Sequence, residues 1–182
     1  KQSMLDVRKF SWDMSLFLSQ EFDLIEIDSI YQTGSSIMPN KHNPDVIEIL
    51  RANYSIVAGQ SAELENLLSL PSGYHRDLQL TKRSLIASFE ITSKSLKILP
   101  KLINSIKINK SKSESYIDEE MKMTDKVYAL VSKGMPFRDA YTEIKNTDDL
   151  SNFSDSDYAN SSEGSPGNLN LKFLENRLKK QK

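Results

Sequence analysis

From Ser3 to about Gln20, apolar residues recur at Leu5, Val7, Phe10, Met14, Phe17 and Leu18, a spacing near 3.6 residues that predicts an amphipathic helix. Ser3 reads as its N-cap, and Asp6 lies three residues on, where a carboxylate favours a helix N-terminus. The run Phe22-Asp23-Leu24-Ile25-Glu26-Ile27-Asp28 partly alternates apolar and acidic side chains and predicts a short extended segment. A second helix is expected to start at Pro44. Asn43 would be its N-cap, Pro44 would sit where a missing N–H is harmless, and Asp45 would complement the dipole. No further proline follows until Pro71, and Val46, Ile47, Ile49, Leu50, Ile56, Val57, Leu64, Leu67 and Leu68 place apolar groups on more than one face. With small Ala52, Ala58 and Ala62 between them, they predict a central rod buried among other helices.

Pro71-Ser72-Gly73 should break the rod. The segment Tyr74–Lys82 is dense in hydrogen-bonding groups and would show one polar face as a helix. Helical spacing returns from Ser84 to about Ile106, with Pro100 expected to kink it or mark a fresh start. Two long helices joined by a short break form an antiparallel pair, the unit of a helical bundle. Lys- and Ser-rich residues from Asn109 to Glu114 suggest a linker. A small helical pair is expected over Glu119–Asn146, with Gly134 as a C-terminal stop and Pro136 opening the second helix. The acidic stretch from Thr147 to Gly167 has too few apolar residues to order itself. Leu171, Phe173, Leu174 and Leu178 then give a basic terminal helix, read as docking on the bundle. The expected fold class is all-α, with a long-helix bundle over 1–108, a small helical domain over 109–146, an acidic flexible segment over 147–168 and a terminal helix over 169–182. No strand content sufficient for a sheet is expected.

Composition narrows the function classes. A length of 182 residues permits one domain with an appendage, and the net charge of −1 gives no electrostatic case for nucleic acid or an anionic membrane as partner. There is no cysteine, which removes disulfides, thiolate metal sites and a cysteine nucleophile. That suits a reducing compartment, and the expected location is the cytoplasm. No apolar run is long enough to span a bilayer. The chain opens on Lys-Gln-Ser-Met, inside or just before a helical pattern, and is read as a fragment of a longer protein.

Candidate chemistry concentrates in Thr33–Asp45, T-G-S-S-I-M-P-N-K-H-N-P-D. Thr33, Gly34, Ser35 and Ser36 lead to a lone ammonium, Lys41, and to the helix start at Asn43. Adjacent hydroxyls, a flexible glycine and a cation suit a loop that binds an anion and moves a proton. The alternative is a polar surface loop that caps a helix.

Gly34-Ser35-Ser36-Ile37-Met38-Pro39-Asn40-Lys41-His42-Asn43-Pro44 resembles the G-S-S-x-M-P-x-K-x-N-P signature of the fumarase/aspartase superfamily. Tyr74-His75-Arg76-Asp77-Leu78-Gln79-Leu80-Thr81-Lys82 is similar to the Tyr-x-Arg-Asp-Leu-Gln-x-x-Lys segment of argininosuccinate lyases. Gly134-Met135-Pro136-Phe137-Arg138-Asp139-Ala140 resembles the K-G-x-P-F-R-x-A-H element of their small C-terminal domain, with Tyr141 where histidine is common. The resemblance spans roughly residues 1–145. It implies the superfamily's long-helix bundle, a homotetramer, and carbon–nitrogen lyase activity in arginine biosynthesis. The reaction would be reversible β-elimination of argininosuccinate to arginine and fumarate, without metal or organic cofactor.

By the same resemblance, Ser35 is the proton-transfer residue, Lys41 stabilises developing charge, and Asn43 orients substrate or holds the loop. Tyr74, Gln79 and Lys82 would contact substrate, and Arg76 and Asp77 would be scaffolding. Asn40 and His42 depart from a frequent glutamine and lysine. The family's catalytic histidine belongs to blocks upstream of this stretch, and neither His42 nor His75 stands in such a block. Its active sites combine three subunits, so a chain without those blocks is expected to be inactive alone. Two other readings stay open: another fumarate-releasing lyase of the superfamily, and a non-catalytic helical interaction module.

Overall fold

Val7, Phe10 and Met14, joined by fully buried Met4, place one face of a helix against its neighbours, and that helix is α1 (Gln2–Phe17). In the computed structural model, residues 1–68, 73, 75–147, 149–152, 163–165 and 168–180 are described. They divide into two units, 1–114 and 115–182. In the first unit, α1 is followed by α2 (Asp45–Leu67) and α3 (Thr81–Ser105).

Side-chain pairs fix how these three helices run. Lys1 meets Glu65 at 3.8 Å, Arg8 lies 5.0 Å from the Tyr54 ring centroid, and Arg51 lies 4.5 Å from that of Trp12. Low numbers on α1 thus face high numbers on α2, so the two are antiparallel. On the other side, Asn53 Nδ2 donates to Ser95 Oγ (3.1 Å), Ser88 Oγ to Gln60 Oε1 (2.6 Å) and Ser84 Oγ to Glu63 Oε2 (2.5 Å). This seam makes α2 and α3 antiparallel as well. Its serines are small enough to let the helices approach, and buried Ser84 and Ser95 find the partners that buried polar groups require. Met4, Val7, Ile27, Tyr31, Ile47, Leu50, Val57 and Leu102 form the core between the helices.

The short extended segment is β1 (Ile25–Glu26), paired antiparallel with β2 (Lys107–Ile108). The Asn109 N–H donates to the Leu24 carbonyl at 2.9 Å. The end of α3 is thereby tied to the chain that enters the Thr33–Asp45 loop.

Several expectations need correction. The N-cap of α1 is Lys1 and makes no side-chain cap bond, and Ser3 lies inside the helix. The N-cap of α2 is Pro44, whose carbonyl accepts from Ile47 N (2.9 Å) and Glu48 N (3.1 Å). Asn43 is not the cap, because its backbone is committed to a bridge with Thr33. α3 passes through Pro100 without ending. The turns beyond that proline are held by Leu102, fully buried, and by Ile98 and Leu99 packed on the core, while Pro100 itself faces outward. The expected linker is a short helix, α4 (Lys110–Ser115). Asn109 starts it, its side-chain oxygen accepting from Lys112 N (3.3 Å) and its carbonyl from Ser113 N (2.9 Å). The rod is also less buried than its composition suggests: Ile47, Leu50 and Val57 are enclosed, whereas Ile49 and Ile56 are about half exposed.

The second unit contains α5 (Met123–Ser132), α6 (Phe137–Lys145) and α7 (Leu171–Lys180). Gly134 ends α5 as expected, at φ +99°. Its N–H reaches the Val131 carbonyl (2.9 Å) and that of Met135 reaches Leu130 (3.2 Å), a paired closure that satisfies the last carbonyls of the helix. Val127, Ala140 and Ile144 form the core of the hairpin. α7 has the expected leucine spacing, with every residue exposed. The break at Pro71-Ser72 and most of the acidic stretch lie outside the described residues.

Lys126, 1% exposed, is satisfied by Glu119 (2.7 Å) and the Leu150 carbonyl (2.8 Å). Hydrogen bonds from Lys126, and next from Lys122, hold the Glu119 carboxyl below its ordinary 4.5. A depressed carboxylate contributes stability above its unfolded pKa and loses it as pH falls through the folded value. Glu119→Gln is therefore expected to lower Tm near neutrality, with the gap to wild type closing as the pH drops below about 4.5. Parallel melting curves across the acid range check this, and a constant gap would rule the ion pair out as its source.

Candidate functional site

Thr33 and Asn43 exchange both backbone hydrogen bonds, Thr33 N to Asn43 O at 2.9 Å and Asn43 N to Thr33 O at 2.8 Å. This antiparallel bridge closes the loop just before α2 begins. Inside it, Lys41 N donates to Met38 O at 3.1 Å, making a turn. Gly34, Ser36, Ile37, Met38 and Lys41 are exposed. Among the described residues, a side chain at Gly34 would meet nothing within 4 Å.

Of the two serines, Ser35 is the partly buried one, and its side chain folds back on the loop. Its Oγ accepts from Ile37 N and from Met38 N, each at 3.2 Å. A serine oxygen facing two amide N–H groups is stabilised if it loses its proton, because those donors point at the developing charge. Ser36 is exposed on the same loop. Lys41 is carried by the same loop, and the backbone of Asn43 forms the stem.

The second candidate cluster lies beyond the far end of α2. A 3₁₀ turn (Arg76–Leu80) runs directly into α3, and Lys82 Nζ donates to Gln79 Oε1 at 2.6 Å. Both side chains are exposed. They line a cavity of about 500 Å³ with Glu63, Leu80 and Arg83, in which Arg83 and Glu63 stand 3.7 Å apart. Tyr74 lies outside the described residues. Asp77 Oδ1 is shielded from solvent and has no hydrogen-bond partner among the described residues.

The two clusters do not meet within one chain. Ser35 precedes the N-terminus of α2 and Gln79 follows its C-terminus, and the helix has 23 residues. At a rise of about 1.5 Å per residue it separates them by roughly 33 Å.

Sequence reading passed over a third group. Glu48 and Arg51, one turn apart on α2, line a cavity of about 490 Å³ at the base of the loop with Ser15, Asn40 and His42. Arg51 is fixed there, its Nη1 donating to Ser15 Oγ at 3.2 Å and its guanidinium stacked on Trp12. His42 also borders a neighbouring cavity of about 370 Å³ with Asp23, Glu26 and Gln32. The available signal was positional: in α2, Glu48 and Arg51 share the face that follows the loop.

A protein-family model described as a lyase matches residues 1–59. The argininosuccinate lyase of Xanthomonas campestris pv. campestris is 48% identical over 137 residues, covering 75% of this chain and 32% of that protein. That of Xylella fastidiosa is 46% identical over 145 residues, covering 80% and 33%. By sequence the chain belongs with the argininosuccinate lyases. It spans about a third of the length of these argininosuccinate lyase relatives. Among solved structures, class II fumarase from Schistosoma mansoni aligns with a TM-score of 0.61 at 18% identity, over 80% of this chain and 34% of that one. A fumarate lyase/delta crystallin from Brucella melitensis aligns with a TM-score of 0.60 at 19% identity, over 79% and 31%. These likenesses bear on the fold: the argininosuccinate lyase segment has the helical architecture of the fumarase/aspartase superfamily.

Proposed function

We propose that the protein containing this chain is an argininosuccinate lyase, and that Ser35 carries its proton transfer. Elimination breaks a C–H bond next to a carboxylate and the C–N bond beyond it. The C–H electron pair becomes the new double bond of fumarate, and the guanidine nitrogen leaves with the C–N pair and takes up a proton to give arginine. As the proton departs, negative charge builds on the carboxylate, so donors are needed at that point. Lys41 and the loop amides are the groups proposed to supply them. A serine hydroxyl is a poor base unless its alkoxide is stabilised. The observation that carries the reading is the Ser35 oxygen held by two backbone N–H groups at 3.2 Å.

Asn43 would keep the loop closed at its stem, and Gln79 and Lys82, with Tyr74, would bind the substrate. Since α2 separates these groups from Ser35, the proposed site joins the serine end of one copy to the Gln79 end of another, within a homotetramer. Exposed apolar residues on α2 and α3 support self-association, notably Ile49, Ile56, Phe89 and Leu96.

The experiment places this chain in the Xanthomonas campestris enzyme in exchange for its aligned segment. The chimera is expected to release fumarate from argininosuccinate, and the 182-residue chain by itself is expected to release none. Gln79→Ala or Lys82→Ala in the chimera should raise KM by about tenfold or more, the loss of one charge-assisted contact. A folded, tetrameric chimera without activity would count against the reading, as would activity indifferent to both substitutions.

A further inference from the structure

Within the small unit, two apolar surfaces lie open. Met123, Val127, Phe137, Tyr141 and Ile144, with Lys145 at the rim, line a cavity of about 240 Å³ between α5 and α6. That volume accommodates side chains rather than an isolated water. Phe137 and Tyr141 at its mouth are 53% and 50% exposed. The other surface belongs to α7. Leu171, Leu174 and Leu178 fall within about 60° of one another around that helix, and they are 59%, 48% and 64% exposed. A helix of 10 residues is marginal in water without packing against something.

We propose that the leucine stripe of α7 docks in the α5/α6 groove of a second copy of this chain, with the exchange reciprocal. Charge gives the orientation. Arg177, Lys179 and Lys180 crowd the last turn of α7. Asp118, Glu120 and Asp125 keep the N-terminal edge of α5 acidic beyond the Glu119 carboxylate, which Lys122 and Lys126 already engage, and Lys133 and Arg138 stand at its opposite end. α7 therefore lies with its basic C-terminal end toward the acidic start of α5, which also opposes the two helix dipoles favourably. In a single chain the leucines of α7 remain in water while the groove remains open. A second copy supplies both surfaces at once, and a two-fold arrangement uses the same contact twice. The proposal is independent of the catalytic reading.

Because the chain has no cysteine, single-cysteine variants report without background. Tyr141→Cys and Leu174→Cys chains, made separately and mixed under mild oxidation, are expected to form their mixed disulfide roughly tenfold faster, or more, than Glu143→Cys mixed with Leu174→Cys. Glu143 points about 160° away from Tyr141 around α6. In a second measurement, Leu174→Asp should shift the chain toward monomer in sedimentation with its helical circular dichroism retained. Equal disulfide rates in the two mixtures would overturn the proposal. So would a concentration-independent internal disulfide in a chain carrying both Tyr141→Cys and Leu174→Cys. Sedimentation of the chain with phosphatidylserine vesicles, without the mixed disulfide, would assign the leucines to lipid and overturn it as well.

Discussion

Ser35→Ala in the active chimera is expected to lower kcat by about 10²–10⁴-fold, the usual range for losing a positioned proton-transfer group. Substrate binding should persist, because the side chain removed is a hydroxyl that accepts from loop amides and not a charged binding group. Ser36→Ala is the matched control. That serine is exposed on the same loop, and its loss should leave kcat within about threefold, as for a surface change away from the reacting atoms. Steady-state assays with both variants separate the two hydroxyls. Wild-type turnover in Ser35→Ala would remove Ser35 from the chemistry, whatever happens at Ser36.

Leu50→Ala is expected to destabilise the first unit by about 2–5 kcal/mol, the cost of an unfilled cavity in a packed core. Leu50 is 2% exposed between α1, α2 and α3, so its removal takes contacts from several neighbours. Ile49, one position earlier on the same helix, is 53% exposed, and Ile49→Ala should cost well under half as much, about 1 kcal/mol or less. The comparison is made at low protein concentration by denaturant titration, with an unchanged m-value as the condition for reading ΔΔG. Equal costs at positions 49 and 50 would mean that the outward face of α2 is covered in solution.

Helix existence was legible because α1, α2 and α3 each carry long apolar periodicity, which survives local propensity. The closure at Gly134 was legible too, since a left-handed residue after a helix favours glycine. Helix ends were less so. Asn43 has good capping chemistry, but a cross-loop bridge to Thr33 claims its backbone, and that long-range pairing leaves no local trace. Pro100 was expected to kink the helix or mark a fresh start because proline lacks an N–H; no fresh start occurs, since tertiary packing of Leu99 and Leu102 carries the helix past it. Of the two short strands, β1 was legible as an extended segment, but its partner β2 was not, being defined by a pairing that spans most of the first unit.

The hydroxyls and the cation of the serine motif are the features from which the sequence suggests chemistry. That the Ser35 oxygen would fold back on the Ile37 and Met38 amides depends on loop geometry and cannot be read from two adjacent serines. The separation of Ser35 from Gln79 follows from the length of α2, once both are known to flank it. Glu48 and Arg51 escaped notice because charged residues near a helix start are ordinary there.

The Thr33–Asn43 bridge makes the intervening loop an exchangeable cassette. Its two ends are joined by backbone groups alone, at 2.9 and 2.8 Å, so the fastening does not depend on which side chains the loop carries. Gly34, Ser36, Ile37, Met38 and Lys41 are exposed and take no part in the bundle's core. Under the role proposed for the loop, sequence drift between positions 33 and 43 would retune reactivity while the bundle beneath keeps its packing. A loop transplanted from a related lyase onto the same stem would carry its own chemistry with it and leave the melting temperature where it was.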